Sequence, residues 1–407
     1  TFITVQGEPR QQVHDPADFG FRVQYQDLRG QADAEPVCQA TIQEDLTTAF
    51  DLRNGPLFKA KLLQLEEHRY TFILTLHHIV CDAWSMVVML NEVLLLYRKY
   101  EKGEENPLPP LRIHYKDYAG WQNKLIQENS LHEHRNYWLN QFKGELPVLN
   151  LPIDFPRPPV KTYTCHSYTF ALDTGVSAGL RELAQKYEVS LFSIVLASIN
   201  VFLHKYTGAD DIIIGSPSAA RGHKDIEDQI GFYLNALAFR TRLDQADSFL
   251  DVLHKVKENV MKGIRYENYP FDLILDDLKI KRDFSRASFF DVGFTWLNRL
   301  GSKFLGARED NGEEQLSFEI ERVEGDFLSG KADLWFNGWE NADEICLTLQ
   351  FNTDLFKEST NYIMIEKFKT LMAEIVKDIH CPIPLLELEL KEEKTLSTQA
   401  INIEFNF

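Results

Sequence analysis

A disulfide framework is the first thing this sequence rules out. Its five cysteines, Cys38, Cys81, Cys165, Cys346 and Cys381, are odd in number, widely scattered and without a CxxC pair, which also excludes a cysteine-built zinc site. That usage fits a reducing compartment, and the expected location is the cytoplasm. There is no uncharged apolar run of membrane-span length and no basic-then-apolar signal at the start. Positive charge is short as well: 43 Lys+Arg stand against 61 Asp+Glu, and the net charge of −18 argues against nucleic acid or an anionic membrane as partner. Histidines at HxxxH or HExxH spacing are missing, so no metal is expected.

What is present is the 44% hydrophobic content of a globular protein, over 407 residues that predict more than one domain. The chain begins without Met inside a strand-like segment, Thr1–Val5, and a natural front end is expected to be missing. Between Pro147 and Pro159, five prolines in thirteen residues exclude regular structure and predict a linker. The resulting division is an N-terminal lobe at 1–145, a proline-rich linker at 146–163, a C-terminal lobe at 164–395 and a tail at 396–407. In the first lobe, Tyr115 to Gln141 reads as helical. The second alternates strands (167–172, 211–215, 234–243, 290–296, 315–323, 334–339, 345–351) with helices (178–187, 191–206, 249–266, 361–379), a pattern of sheets covered by helices. A faint repeat relates Phe58–Tyr100 to Ala332–Ile379, each an apolar hairpin followed by a long helix.

The segment His77-His78-Ile79-Val80-Cys81-Asp82-Ala83-Trp84-Ser85 joins the end of one apolar strand, Tyr70–Leu76, to one such helix. Extended residues alternate faces, so His77 and His78 diverge if the strand runs through them, and one is structural. Ser85 is placed to cap the helix, whose apolar residues Met86, Met89, Leu90, Val93, Leu96, Tyr97 and Tyr100 recur at three- and four-residue spacing. A catalytic histidine needs a neutral imidazole held in one orientation. Asp82, four residues after His78, can supply that directly or by holding the turn. The plainer reading is a buried histidine and a turn-capping aspartate.

Other motifs are weaker. Gly175-Val176-Ser177-Ala178-Gly179 matches the GxSxG of serine hydrolases, but Asp173 and Thr174 separate it from the preceding strand, and Thr174 or Ser177 reads better as a helix start. Gly208 to Pro217 lacks the lysine of a phosphate loop. Asn235, in an apolar segment, needs a hydrogen-bond partner. Cys81 has no basic neighbour to make it a thiolate and reads as packing.

Taken together, these segments resemble the condensation domain of nonribosomal peptide synthetases, over nearly the whole chain and in the family's order. The family's HHxxxDG reads here as His77-His78-Ile79-Val80-Cys81-Asp82-Ala83. Further matches are Tyr115–Trp121, Gly208 through Arg221-Gly222, Ile230 through Asn235 to Arg240, Tyr269–Leu273, Lys331–Leu334 and Phe351–Phe356. Two departures stand out. Ala83 replaces the motif glycine, adding a methyl where a positive φ or a close approach could be needed. The family's earliest motifs lie upstream of Thr1, and one carries an arginine thought to pair with the motif aspartate, so Asp82 is expected to lack its partner.

The resemblance implies an α/β (α+β, two-layer) fold of two chloramphenicol-acetyltransferase-like lobes, arranged as a V-shaped pseudo-dimer with a central tunnel. It implies upstream and downstream peptidyl carrier domains as partners, a neighbouring adenylation domain, and no directly bound cofactor, since 4'-phosphopantetheine arrives on the carriers. The implied reaction is attack of the acceptor aminoacyl thioester's amine on the donor thioester. His78 would be catalytic, with His77, Asp82 and Ala83 supporting it and Asn235, Trp84 and Ser85 contributing to the tunnel. The alternatives are an epimerisation domain of the same superfamily, disfavoured by the Trp84-Ser85 continuation, and a catalytically silent recruitment module, to which only Ala83 points.

Overall fold

The computed structural model describes residues 1–407 apart from 16, 18, 19, 281–282, 288, 298–331 and 389–407. The described residues form two compact units. The first contains Thr1–Gly120 and a returning segment, Arg221–Tyr233; the second contains Trp121–Ala220 and Leu234–Phe407.

The first unit opens with a hairpin of β1 (Phe2–Val5) and β2 (Glu8–Gln11). Gln6 and Gly7 turn it with positive φ values of 53° and 85°, the twist that two-residue hairpin loops favour. β3 (Gln24–Asp27), α1 (Ala34–Thr47) and β4 (Phe58–Glu66) make a parallel crossover, and β5 (Arg69–Leu76) adds antiparallel to β4. The hydrophobic cluster beneath this three-stranded sheet is small, with Leu28, Cys38, Leu63 and Leu65 as its buried members. α2 (Ala83–Glu101) follows β5, and α3 (Tyr115–Gln127) begins in this unit.

The second unit is larger. Its sheet has the order β6-β11-β10-β9-β7-β8, from β6 (Cys165–Ala171), β7 (Asp211–Ser218), β8 (Asn235–Arg242), β9 (Val292–Trp296), β10 (Leu334–Asn341) and β11 (Glu344–Asn352). β9 runs parallel to both neighbours, and the other pairings are antiparallel. Its helices are α4 (His132–Gln141), α5 (Thr174–Lys186), α6 (Leu191–Thr207), α7 (Phe249–Arg265), α8 (Phe271–Leu278) and α9 (Glu358–Lys377). α6 is mostly apolar, and Ser193 through Leu203 are all buried, with Ser198 and Asn200 bonded back to the Ile194 and Leu196 carbonyls. Ser190 caps its start by accepting from the Ser193 N–H, and Gly208, at φ 75°, ends it.

Most sequence-predicted elements lie within a few residues of these, and the strand expected at 315–323 lies outside the described residues. The hairpin–helix repeat is present as β4–β5–α2 and β10–β11–α9. One expectation differs. The helix read over 115–141 is broken: α3 ends at Gln127 and α4 starts at His132, with Asn129 at φ 53° between them. By contact, the described residues divide at Gly120/Trp121, and the segment at 146–163 belongs with the second unit. The reason is burial, because Leu131, Trp138, Phe142, Leu149 and Leu151 all belong to the second unit's core. Prolines exclude a helix or strand but not a packed, irregular segment. Arg157 anchors this one, donating to both carboxylate oxygens of the fully buried Asp333.

Three glycines in this sheet make room for rings. Cβ atoms at Gly215, Gly293 and Gly338 would fall within 2.1, 2.2 and 2.7 Å of Phe290, Trp335 and Trp296 respectively. Gly293 and Trp335 are direct partners across β9 and β10, so the ring lies over the backbone of its own neighbour. Gly293→Ala should therefore destabilise the domain by about 1–3 kcal/mol, read as a lower denaturation midpoint.

Candidate functional site

The His77–Ser85 segment owes its geometry to a strand that stops. β5 ends at Leu76, the His77 N–H still donates to Leu57 O (2.9 Å), and a single 3-10 turn, His78–Val80, begins at once. The His77 ring closes that turn: its Nδ1 accepts from the Ile79 N–H at 3.0 Å, and it makes a T-shaped pair with Phe50 at a centroid distance of 5.8 Å. The His78 ring is exposed and lies edge to face against Phe232 at 5.3 Å. The two histidines thus differ as expected, but a turn separates them rather than the alternation of a continuing strand.

Asp82 caps α2, accepting from the Ser85 N–H at 2.8 Å. This corrects the sequence expectation that Ser85 is the cap, since Ser85 sits inside the first turn and is completely buried. Asp82 also does not lack a partner. Arg221 Nη2 donates to its two carboxylate oxygens at 3.0 and 3.2 Å, and both side chains are 2% exposed. The same nitrogen reaches Ser85 Oγ at 2.8 Å, while Nη1 donates to Ile226 O and Gln229 O. Ser85 Oγ lies 2.7 Å from Asp82 Oδ1 and 2.8 Å from Gly231 O, and accepts from the Gly231 N–H at 3.0 Å. The remaining Asp82 oxygen accepts from the Tyr233 N–H at 3.1 Å. Charge is buried here because nearly every donor and acceptor is used, as burial of an ion pair requires.

The Asp82 carboxylate holds the start of α2 and the returning segment 221–233 together, and among the described residues no hydrogen bond joins it to the His78 imidazole. Ala83 is the first residue of α2, exposed and without a positive φ, so its methyl meets neither constraint the motif glycine suggested. The Trp84 indole N–H donates to Glu227 O at 2.7 Å, and the Arg221 guanidinium lies 6.0 Å from its ring centroid. Ser85, fully buried, is a member of the polar clamp and cannot line a substrate passage. Burial, with Asp82 adjacent, pushes the Cys81 thiol up to about 11.

Asn235 lies in the second unit, at the first residue of β8. Its Nδ2 donates to Glu267 O and Tyr269 O, and its Oδ1 accepts from the Ala236 and Phe271 N–H groups, so its amide ties loops together. Ser177 is buried in α5, where Oγ donates to Leu172 O and accepts from the Ile345 N–H. A buried serine engaged in this way is no hydrolase nucleophile. Arg221, Gly231, Phe232 and Tyr233 lie inside the family-like segments, and nothing in their local sequence marks them as site residues. Arg221 gives no local signal, because its partner Asp82 is 139 residues away.

Removing one member of a buried pair strands the other, so Arg221→Met should cost about 3–5 kcal/mol in equilibrium denaturation. Asp82→Asn in the same chain should restore part of that. Cys81 should resist alkylation at pH 8 in the folded protein and react on unfolding, read by mass spectrometry.

The family model for the condensation domain matches residues 1–396. Tyrocidine synthase 3 of Brevibacillus parabrevis is 36% identical over 405 residues, covering 100% of this chain and 6% of that protein. Surfactin synthase subunit 1 of Bacillus subtilis (strain 168) is 35% identical over 402 residues, covering 99% of this chain and 10% of that protein. The chain therefore spans a small part of the length of these relatives. Among solved structures, the X-domain from teicoplanin biosynthesis shares the fold at a TM-score of 0.79 with 23% identity, over 95% of this chain and 85% of that one. Holo-AB3403, a four-domain nonribosomal peptide synthetase bound to AMP and glycine, does so at 0.76 with 24% identity, over 92% of this chain and 28% of that one. With the expected chloramphenicol-acetyltransferase-like fold and the histidine motif both in place, this chain belongs to the condensation domain family of nonribosomal peptide synthetases.

Proposed function

We propose that this domain forms an amide bond between two carrier-bound substrates, with His78 as the group that meets the attacking amine. The observation that carries the reading is the division of labour in the histidine pair: His77 is consumed by its own turn, whereas His78 is presented at the surface of a rigid strand–turn–helix junction. The donor is an acyl or peptidyl thioester on an upstream carrier, and the acceptor is an aminoacyl thioester on a downstream one. The phosphopantetheine arms belong to those partners as parts of the substrates, and an adenylation domain would load the acceptor carrier. The domain works in the cytoplasm.

The chemistry asks little of the protein. An α-amino group has an ordinary pKa near ~7.7–8, so a useful fraction is already neutral at physiological pH. No covalent enzyme intermediate is needed, because a thioester is activated toward amines. As the C–N bond forms, the thioester C–S bond breaks, the donor arm leaves as its thiol and the amine's proton is passed to that sulfur; what remains for the protein is to orient the amine, carry that proton and steady the developing oxyanion. An imidazole suits the first two tasks, since either ring nitrogen can accept while neutral. Asp82 and Arg221 act by keeping the junction rigid. Ala83, the one feature that points to a silent module, is exposed and has no positive φ, which favours the active reading.

Full activity with His78→Ala in a competition of two loaded carriers would overturn the role assigned to His78; the expected outcome is a loss of about 10²-fold or more in amide formation. Inversion at the α-carbon of a single loaded carrier, without transfer, would instead identify an epimerisation domain.

A further inference from the structure

The histidine motif does not contain the group that lies against the catalytic imidazole. Among the described residues no hydrogen-bond partner holds the His78 ring; the Phe232 ring does, edge to face, at 5.3 Å and an interplanar angle of 73°. Phe232 sits in the middle of three consecutive residues whose backbone is pinned. The Gly231 N–H donates to Ser85 Oγ at 3.0 Å, Phe232 O accepts from the Tyr115 hydroxyl at 2.8 Å, and the Tyr233 N–H donates to Asp82 Oδ2 at 3.1 Å. Tyr115 reaches that carbonyl by crossing residue 231, where a Cβ would lie 2.3 Å from Tyr115 Cδ2. Only glycine leaves that path open. The Tyr115 ring then packs against Tyr233 at 5.1 Å, which closes the support on both sides of Phe232.

We infer that Phe232 is a positioning residue for His78, and that the Tyr115 hydroxyl holds it there. The inference rests on the reading of His78 as the group that meets the amine. A carboxylate against the imidazole would occupy one ring nitrogen and raise its basicity. A T-shaped aromatic contact restricts the ring's rotation directionally without setting a charge against it. Asp82 therefore reaches His78 by two routes, through the turn that carries the imidazole and through the segment that carries its neighbouring ring. This gives the buried ion pair a role in the orientation of His78 as well as in stability.

The test uses the whole domain labelled at the histidine Cε1 position, with the His78 resonance assigned by its absence in His78→Gln. Phe232→Leu removes the ring, Tyr115→Phe removes a single oxygen, and Phe232→Tyr keeps a ring in place. The expected result is that Phe232→Leu and Tyr115→Phe both move the His78 resonance and lower kcat for amide formation by about 10-fold or more, with KM little changed. Phe232→Tyr should retain most of the rate. A His78 resonance unmoved in Phe232→Leu would overturn the inference, as would kcat unchanged in both of the first two variants. Should Phe232→Leu not fold, Tyr115→Phe decides alone. The spectroscopic arm does not depend on the reaction, so a moved resonance beside an active His78→Ala would retire the proposed chemistry and leave the contact standing.

Discussion

A buried charge has to be neutralised where it lies, and Asp82 with Arg221 is where that requirement shapes the histidine segment. Each carboxylate oxygen of Asp82 receives more than one donor, and each terminal nitrogen of Arg221 has more than one acceptor. Satisfying them forces the start of α2, the turn after β5 and the whole of residues 221–233 into one arrangement. The positions of His77, His78 and Phe232 follow from it. A sequence change at Asp82, Ser85 or Arg221 is therefore felt at a histidine that none of the three touches.

The weight carried by this clamp is clearer against the size of the core around it. The hydrophobic cluster under the three-stranded sheet has four buried members. At about 1.5–3 kcal/mol for each large apolar side chain fully buried, that cluster stabilises on the same scale as the loss of about 3–5 kcal/mol expected when a buried pair is broken. The second unit is different, with one continuous core that includes a helix buried over eleven consecutive residues. There, polar networks such as Arg157 with Asp333 or Asn235 with its four backbone partners pin loops to a body that packing already holds. In the first unit the polar network is itself a main source of order.

Local patterns accounted for the features they govern. Apolar hairpins followed by long amphipathic helices appear where the repeat placed them, and the order of motifs along the chain pointed to the right family. The local context of the GxSxG serine argues against a nucleophile, and its burial in α5 agrees. Local patterns carry less where distant partners compete. Ser85 has the side chain of a helix cap, yet Asp82 takes that position because a charge-assisted partner 139 residues away holds its carboxylate there. The proline-rich stretch has the composition of a linker, yet its leucines are buried in the larger unit, and the chain divides earlier, within α3.

Sequence by itself determined the elements, the family and the candidate His78, because strand alternation, helix spacing and motif order are carried by residues near one another in the chain. Only the tertiary structure decided how the histidines separate, what Asp82 bonds to, where Ala83 lies and which ring packs against the imidazole. Those answers depend on Arg221, Gly231, Phe232 and Tyr233, which come to Asp82 from more than a hundred residues away. Pairing over that distance leaves no periodicity or spacing to read, since it is the demand of a buried charge for donors that selects the partner.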